Sequence, residues 1–306
     1  MFEQLFDSAL LDSAIRAMIP ILLAALGGMI CERAGVFQIS LEGMMVAGAF
    51  AAVGGSYLAE SSSLGIVFAI AAGVAVSLIL AFGAVTKKGD PIVLGIAINL
   101  FAFGITGFLL PQIFGVRGVF QHPRIDGLER IPIPLLSDVP VVGPVLFNNT
   151  ITAYLAFLLV PVLWVLMFRT PVGLRLRGVG ERPAAAETLG VSPTKYKYAA
   201  VIASGVLSGL AGAQLALGNV VQFAENMSSG RGWVAVVAVM LGRAHPVAVL
   251  GASLLFAFAE ALGFRFQGNG LPVQITDALP FVVTLLALVV ARKRFARLLD
   301  LTTASA

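Results

Sequence analysis

Charge is scarce in this chain. Asp, Glu, Lys and Arg make up only 12% of its 306 residues, against about 25% in a soluble domain. A chain so poor in charge cannot cover a water-facing surface. Cysteine is scarcer still: Cys31 stands alone, so no intrachain disulfide can form. With only two histidines beside it, little is left for a thiolate and imidazole metal site, and none is expected. No G-x-x-x-x-G-K-[ST] occurs, which excludes ATP binding by a P-loop. "GVGERP" at 178–183 lacks both the third glycine and the preceding strand of a dinucleotide fingerprint. No G-x-S-x-G, H-E-x-x-H or facing carboxylates supply a catalytic set. The first 13 residues hold Glu3, Asp7 and Asp12 but no lysine or arginine, the reverse of a signal peptide's basic start. They read as a short amphipathic lead-in.

Apolar residues fill the space that charge leaves: 58% of the chain is hydrophobic, and the mean hydropathy is +0.96. A bilayer-crossing helix needs about 20 mostly apolar residues. That ruler predicts spans near 14–31, 39–58, 64–85, 91–114, 151–168, 197–218 and 273–291. The apolar stretch 232–262 is broken by "RAHP" at 243–246, as one broken helix or two short segments meeting at a turn. The expected fold is a single all-α polytopic domain over 1–306, with about 8–10 transmembrane helices, some short or broken. Asp90 and Pro91, and again Ser192 and Pro193, stand where an N-cap and a first helical residue belong. Ser204, Ser208 and Gly212 recur every four residues, as do Gly205, Gly209 and Ala213, the small-residue rows of close helix packing in lipid.

Lysine and arginine predict orientation. Lys87, Lys88, the segment 169–198 and the tail with Arg292, Lys293, Arg294 and Arg297 are expected in the cytoplasm. The charge-balanced 115–150, with Asp126, Glu129 and Asp138 against three arginines, is expected outside. Counting back places the N-terminus outside and the C-terminus inside, and nine crossings fit if 232–262 crosses twice.

Within 169–198, Pro183 can open a helix and Gly190 close it around "AAAETL", about two turns or roughly 10 Å. Ala184, Ala185 and Ala186 give it a smooth face among arginines, suited to docking in a groove of another protein; an ordinary positive-inside loop explains the arginines alone. The pattern Thr170, Gly173, Arg175 to Arg177, Gly180, Pro183, Ala185, Ala186, Gly190 and Val191 resembles the coupling loop of permease subunits of bacterial ABC importers, the superfamily for simple sugars, nucleosides and branched-chain amino acids. "ERAGVFQISLEGMMVAGAF" and "SGRGWVAVVAVMLGRAHPVAVLGASLLFAFAEALG" resemble two further family signatures and are closest to the nucleoside branch, with Gln38 where asparagine is expected. The resemblance implies a cytoplasmic ATPase that binds the ATP, so the permease itself needs no cofactor. It also implies a second related permease and an external substrate-binding protein, in a bacterial plasma membrane, with no nucleic-acid partner. Pro183, Ala184, Ala185, Ala186, Glu187 and Gly190 would carry the contact to the ATPase.

Polar residues inside spans are candidates for the pathway, because burying an ionisable group in lipid costs at least ~2.5–3.5 kcal/mol. Glu42 heads the set. It could touch substrate, relay a proton, or accept hydrogen bonds at an irregular turn near a helix start; the residues favour the last, with the carboxylate as a brace. Asn99 with Phe103 one turn on could bind a nucleobase by edge and face, or make an interhelical hydrogen bond. Gln214, Asn219 and Gln222 sit near Glu225 and Asn226 at one end of a span, lining a mouth or capping a helix. Glu260 lies in the late apolar stretch near Arg265. The expected function is nucleoside import by alternating access, powered by the separate ATPase. A simple-sugar permease is the nearest alternative, and an ion-coupled secondary transporter is further off.

Overall fold

The structure, a computed structural model, describes residues 8–134, 137, 142–268, 282, 283 and 285. Seven of its helices are long and apolar enough to cross a bilayer. α1 is Ser8–Arg33 and α2 is Leu41–Ala59; α3, Ser62–Leu80, runs on into a π-helical turn, Ala81–Thr86, and α4 is Pro91–Phe114. Strands β1, Val119–Phe120, and β2, Arg130–Pro132, precede the short α5, Val142–Leu146, and β3, Asn148–Thr150. α6 is Ile151–Arg169, α7 Pro171–Glu181 and α8 Pro183–Thr188. α9, Pro193–Ala213, ends in a second π-helical turn, Gln214–Val220, followed by β4, Phe223–Ala224. α10, Arg231–Leu241, and α11, Pro246–Gly268, close the described helices of any length. The expected span 273–291 falls almost wholly outside the described residues, as do Glu3, Asp7, Asp138, Arg292, Lys293, Arg294 and Arg297.

Local chemistry sets the helix starts. The Asp90 carboxylate accepts from the N–H of Ile92 at 2.7 Å and of Val93 at 3.3 Å, with Pro91 as first helical residue. Ser192 holds the matching position before Pro193, although its side chain makes no cap bond. α1 begins earlier than the apolar ruler allows, because Asp12 and Arg16 pair one turn apart and neutralise each other within the helix.

Burial sorts the long helices into two groups. α1, α2 and α9 form the centre, each mostly buried, while α3, α4, α6 and α11 keep broad faces outward. The most apolar of the seven, α3, is an outer helix, and the least apolar, α2, is central. Lipid is as apolar as leucine, so close packing, not hydrophobicity, decides which helix goes inside. The small-residue rows do that packing. A Cβ on Gly212 would lie 2.2 Å from the Met45 carbonyl oxygen, and one on Gly73 would lie 2.2 Å from that of Gly205. Backbone thus meets backbone among α2, α3 and α9.

The two ends of the bundle differ. At one, Arg33, Lys88, Arg177, Lys197 and Arg243 line two clefts; this is the basic end. At the other, antiparallel ribbons β1–β4 and β2–β3 cover the helices. There Ser56 exchanges hydrogen bonds with the Asp126 backbone at 2.8 Å, and Glu60 pairs with Arg124 at 3.4 Å.

The broken stretch 232–262 is unequal. α10 has 11 residues and α11 has 23, joined by a turn with positive φ at Arg243 and Ala244. At 1.5 Å per residue α10 is about 16 Å long, half of the roughly 30 Å hydrocarbon layer. It runs from the interior of the bundle to the basic end, and the non-helical 221–230 links it to the ribbon end.

Candidate functional site

The site is built on residues 32–45. α1 stops because Gly35, at φ +74°, turns the chain into the left-handed region, with Val36 N–H bonded to the Cys31 carbonyl and Gly35 N–H to that of Glu32. Residues 36–39 are then non-helical, and α2 begins at Leu41. Asn99 on α4 supports this irregular backbone: its amide donates to the Ile39 carbonyl at 3.1 Å and accepts from Gly43 N–H at 2.8 Å. Gln38 donates to Ser204 and accepts from Ser40, both at 3.1 Å. Asn99 lies eight residues past Pro91, about 12 Å from the basic end, so this junction is deep in the bundle.

Glu42 is 1% exposed, and both its carboxylate oxygens are occupied. One accepts from the Ser228 hydroxyl and from Gly230 N–H at 2.8 Å; the other accepts from Gly232 N–H at 2.5 Å and Trp233 N–H at 3.3 Å. These donors are the residues leading into α10 and its first turn. Glu42 therefore caps a helix far away in sequence, and the N–H groups expected from its own segment come from 228–233 instead. The carboxylate sits where the helix dipole favours a negative charge. Both glycines of "SGRGW" follow: Gly230 has φ +85°, and a Cβ on Gly232 would lie 2.5 Å from the Glu42 backbone.

Arg33 holds the opposite end of the same helix. Its guanidinium donates to the carbonyls of Ala244 at 2.7 Å and Arg243 at 3.1 Å. The run from Arg33 to Glu42 thus clamps α10, the cation on the turn that follows the helix and the anion at its N–H end. Arg231, the first residue of α10, pairs with Glu260 on α11, and both side chains are largely buried. Reading by sequence missed Arg33, Ser228 and Arg231. The glycines around Arg231 were the available signal for a backbone approached closely.

Gln214 is buried in a second cluster. Its side-chain oxygen accepts from the hydroxyls of Thr150, at 2.7 Å, and Thr152, and its nitrogen donates to Asn219 at 3.0 Å. The π-helical turn brings Gln214 and Asn219 together. Gln222 is half-buried, its N–H bonded to the Ala216 carbonyl at 3.1 Å. Phe103 packs into an apolar cluster with Phe50, Phe114 and Phe223. The candidates therefore form separate groups: Glu42 with Asn99 around the start of α2, Gln214 with Asn219 near β3, and Phe103 among aromatic rings.

At the basic end, the helix expected between Pro183 and Gly190 is α8. It closes as α1 does, with Gly190 at φ +78°, Val191 N–H on the Ala186 carbonyl and Gly190 N–H on that of Glu187. Pro183, Ala184, Ala185 and Glu187 are exposed, while Ala186 faces inward. Leu189, just beyond, is 82% exposed. α8 is preceded, within the segment 169–198, by a second helix, α7. Thr170 caps it, and Gly173, Leu176 and Val179 bury one face, a pattern the flanking arginines conceal.

The family described as "Branched-chain amino acid transport system / permease component" matches residues 10–288. The guanosine ABC transporter permease protein NupQ of Bacillus subtilis is 38% identical, over 88% of this chain and 87% of its own. TsgC13 of Haloferax volcanii, a permease provisionally named for glucose, is 36% identical over 87% and 80%. A second Bacillus subtilis guanosine permease, NupP, is 25% identical over 89% and 78%. Among solved structures, an ABC transporter of metal-chelate type in an inward-facing conformation aligns over 88% of this chain and 81% of its own. Its TM-score is 0.51 at 14% identity, a likeness of fold. Matched by that family over 10–288 and 38% identical to an ABC permease along most of both chains, the chain belongs to the permease components of the branched-chain amino acid transport system family, and its seven bilayer-length helices make it a multi-pass membrane subunit of ABC-transporter type.

Proposed function

We propose that the chain is one of two different permease subunits of an ATP-driven nucleoside importer in a bacterial plasma membrane. The observation that carries the substrate class is the 38% identity to a guanosine permease along almost the whole of both chains. The pairing rests on a contrast: this chain resembles one Bacillus subtilis guanosine permease at 38% and the other at 25%, so its partner is of the more distant type. The basic end faces the cytoplasm, the N-terminus lies outside and the C-terminus inside. An ATPase subunit, which alone binds ATP, docks on α8 through Pro183, Ala184, Ala185 and Glu187, with Ala186 and Gly190 shaping the helix. An external binding protein delivers substrate to the ribbon end. Alternating access then moves it between the two permeases. The occupied hydrogen bonds of Glu42 and the Arg231–Glu260 pair support ATP over an ion gradient, since both acids already have partners.

Uptake by membrane vesicles holding the chain with its genomic neighbours tests this reading. Labelled guanosine should accumulate only with ATP, and an ATPase should co-purify in mild detergent. Accumulation of glucose instead would turn the substrate to the sugar class, as the relation to TsgC13 allows. Uptake without ATP and without a bound ATPase would refute the proposal.

A further inference from the structure

α10 is anchored at three points by charged side chains. Glu42 holds its N–H end, Arg33 the turn that follows its last residue, and Glu260 its first residue. It is short and rigid, and it spans only from the basic end to the interior. One stripe, Trp233, Val237 and Met240, is left at least partly uncovered. The clamp that holds it also touches α7, which leads directly into α8. A Cβ on Gly180 would lie 2.3 Å from the Arg33 carbonyl oxygen and 3.0 Å from Gly35 N. No side chain cushions that joint. Beside it is a crevice of about 430 Å³ with α7 on one wall and the end of α10 on the other, lined by Arg177, Glu181, Glu32, Arg33, Met240 and Arg243. The α7 wall carries Arg177 and Glu181, and the α10 wall Arg243.

We propose that α10 is the inner gate of the permease, and that the Gly35–Gly180 joint transmits the displacement of α8 and α7 to it through the 33–42 clamp. The crevice gives the stroke its room, and its charged walls approach when the ATPase closes. This rests on the reading of α8 as the ATPase contact and adds which element moves. Arg33 and Glu42 are on this account positioning residues, acting on the pathway through α10.

The test uses the complete importer with Glu181→Cys and Met240→Cys, which line the crevice from α7 and from α10; the native Cys31 is buried. A short bis-maleimide should link the pair at least five-fold faster with trapped nucleotide than without. The linked complex should lose uptake. Equal rates in both states, or full uptake by the linked complex, would overturn the gate. A companion variant, Arg33→Gln, should lower nucleoside transported per ATP hydrolysed at least five-fold, and Arg33→Lys should restore most of it. A fall in ATPase and uptake together at a constant ratio would mean that Arg33 only supports the fold. Nucleotide-independent linking in a complex that still imports guanosine removes this inference alone, whereas failure to bind an ATPase removes the proposed function with it.

Discussion

Glu42 offers two oxygens to four donors, three of them backbone N–H groups with no other partner at the start of α10. A hydrogen bond to a charged group contributes about 1.5–3 kcal/mol, and truncation would also strand buried donors. Glu42→Ala should therefore cost about 3 kcal/mol or more, seen as a lower thermal midpoint in detergent. Glu42→Gln keeps half of the acceptors and should fall between the two. Asn99 makes a sharper comparison, because both ends of its amide are bonded to the backbone at 39 and 43. Asn99→Ala should lower the thermal midpoint and leave KM for uptake unchanged in the molecules that fold. A raised KM at unchanged stability would place Asn99 on the substrate pathway instead.

Short helices carry the function proposed here, and each depends on what surrounds it. Six-residue α8 could not persist alone, since helices under about 12–15 residues are marginal in water. Pro183 at its start, the Gly190 turn at its end and the inward Ala186 hold it in place. Its outer face is free of such duties. Ala185→Arg, and independently Leu189→Asp, should leave the permease folded and reduce co-purified ATPase at least ten-fold; unchanged co-purification would show that the ATPase docks elsewhere. α10 depends on charge where α8 depends on caps. Its N–H end meets Glu42, an arrangement worth more inside a bundle than at a surface because water screens it less, and Arg33 holds the turn after its last residue.

Across the whole molecule, lysine and arginine gather at the end that carries α7 and α8, and the ribbons cover the other. The sidedness proposed above can be read with impermeant maleimide on intact cells. Glu60→Cys, at the ribbon end and exposed, should label from outside. Glu187→Cys, exposed on α8, should label only after the cells are opened. The reverse pattern would invert the orientation. The central trio of α1, α2 and α9 gives the bundle a stiff middle, since backbone packed against backbone at Gly27, Gly48 and Gly212 leaves no slack for side chains to absorb.

Much of this architecture was legible residue by residue. Spans follow from how many apolar residues cross a bilayer, and the starts at Pro91, Pro183 and Pro193 follow from proline's fit to the first helical position, with Asp90 as a cap at the first, so neither needs knowledge of the fold. The small-residue rows on α9 likewise announced close packing, though not against which helices. Other features were hidden. α7 escaped notice because its buried face is only Gly173, Leu176 and Val179 among arginines, and α10 could not be told from half of a broken span. The partner of Glu42 is 190 residues away at Gly232, and that of Arg33 is 211 away at Ala244. The sequence by itself determined the long apolar helices and their membrane length, because hydropathy and proline placement act over a few neighbouring residues. Only the tertiary structure decided that Arg33 and Glu42 grip the two ends of one half-length helix, because hydrogen-bond partners are chosen by proximity in space after the helices have packed.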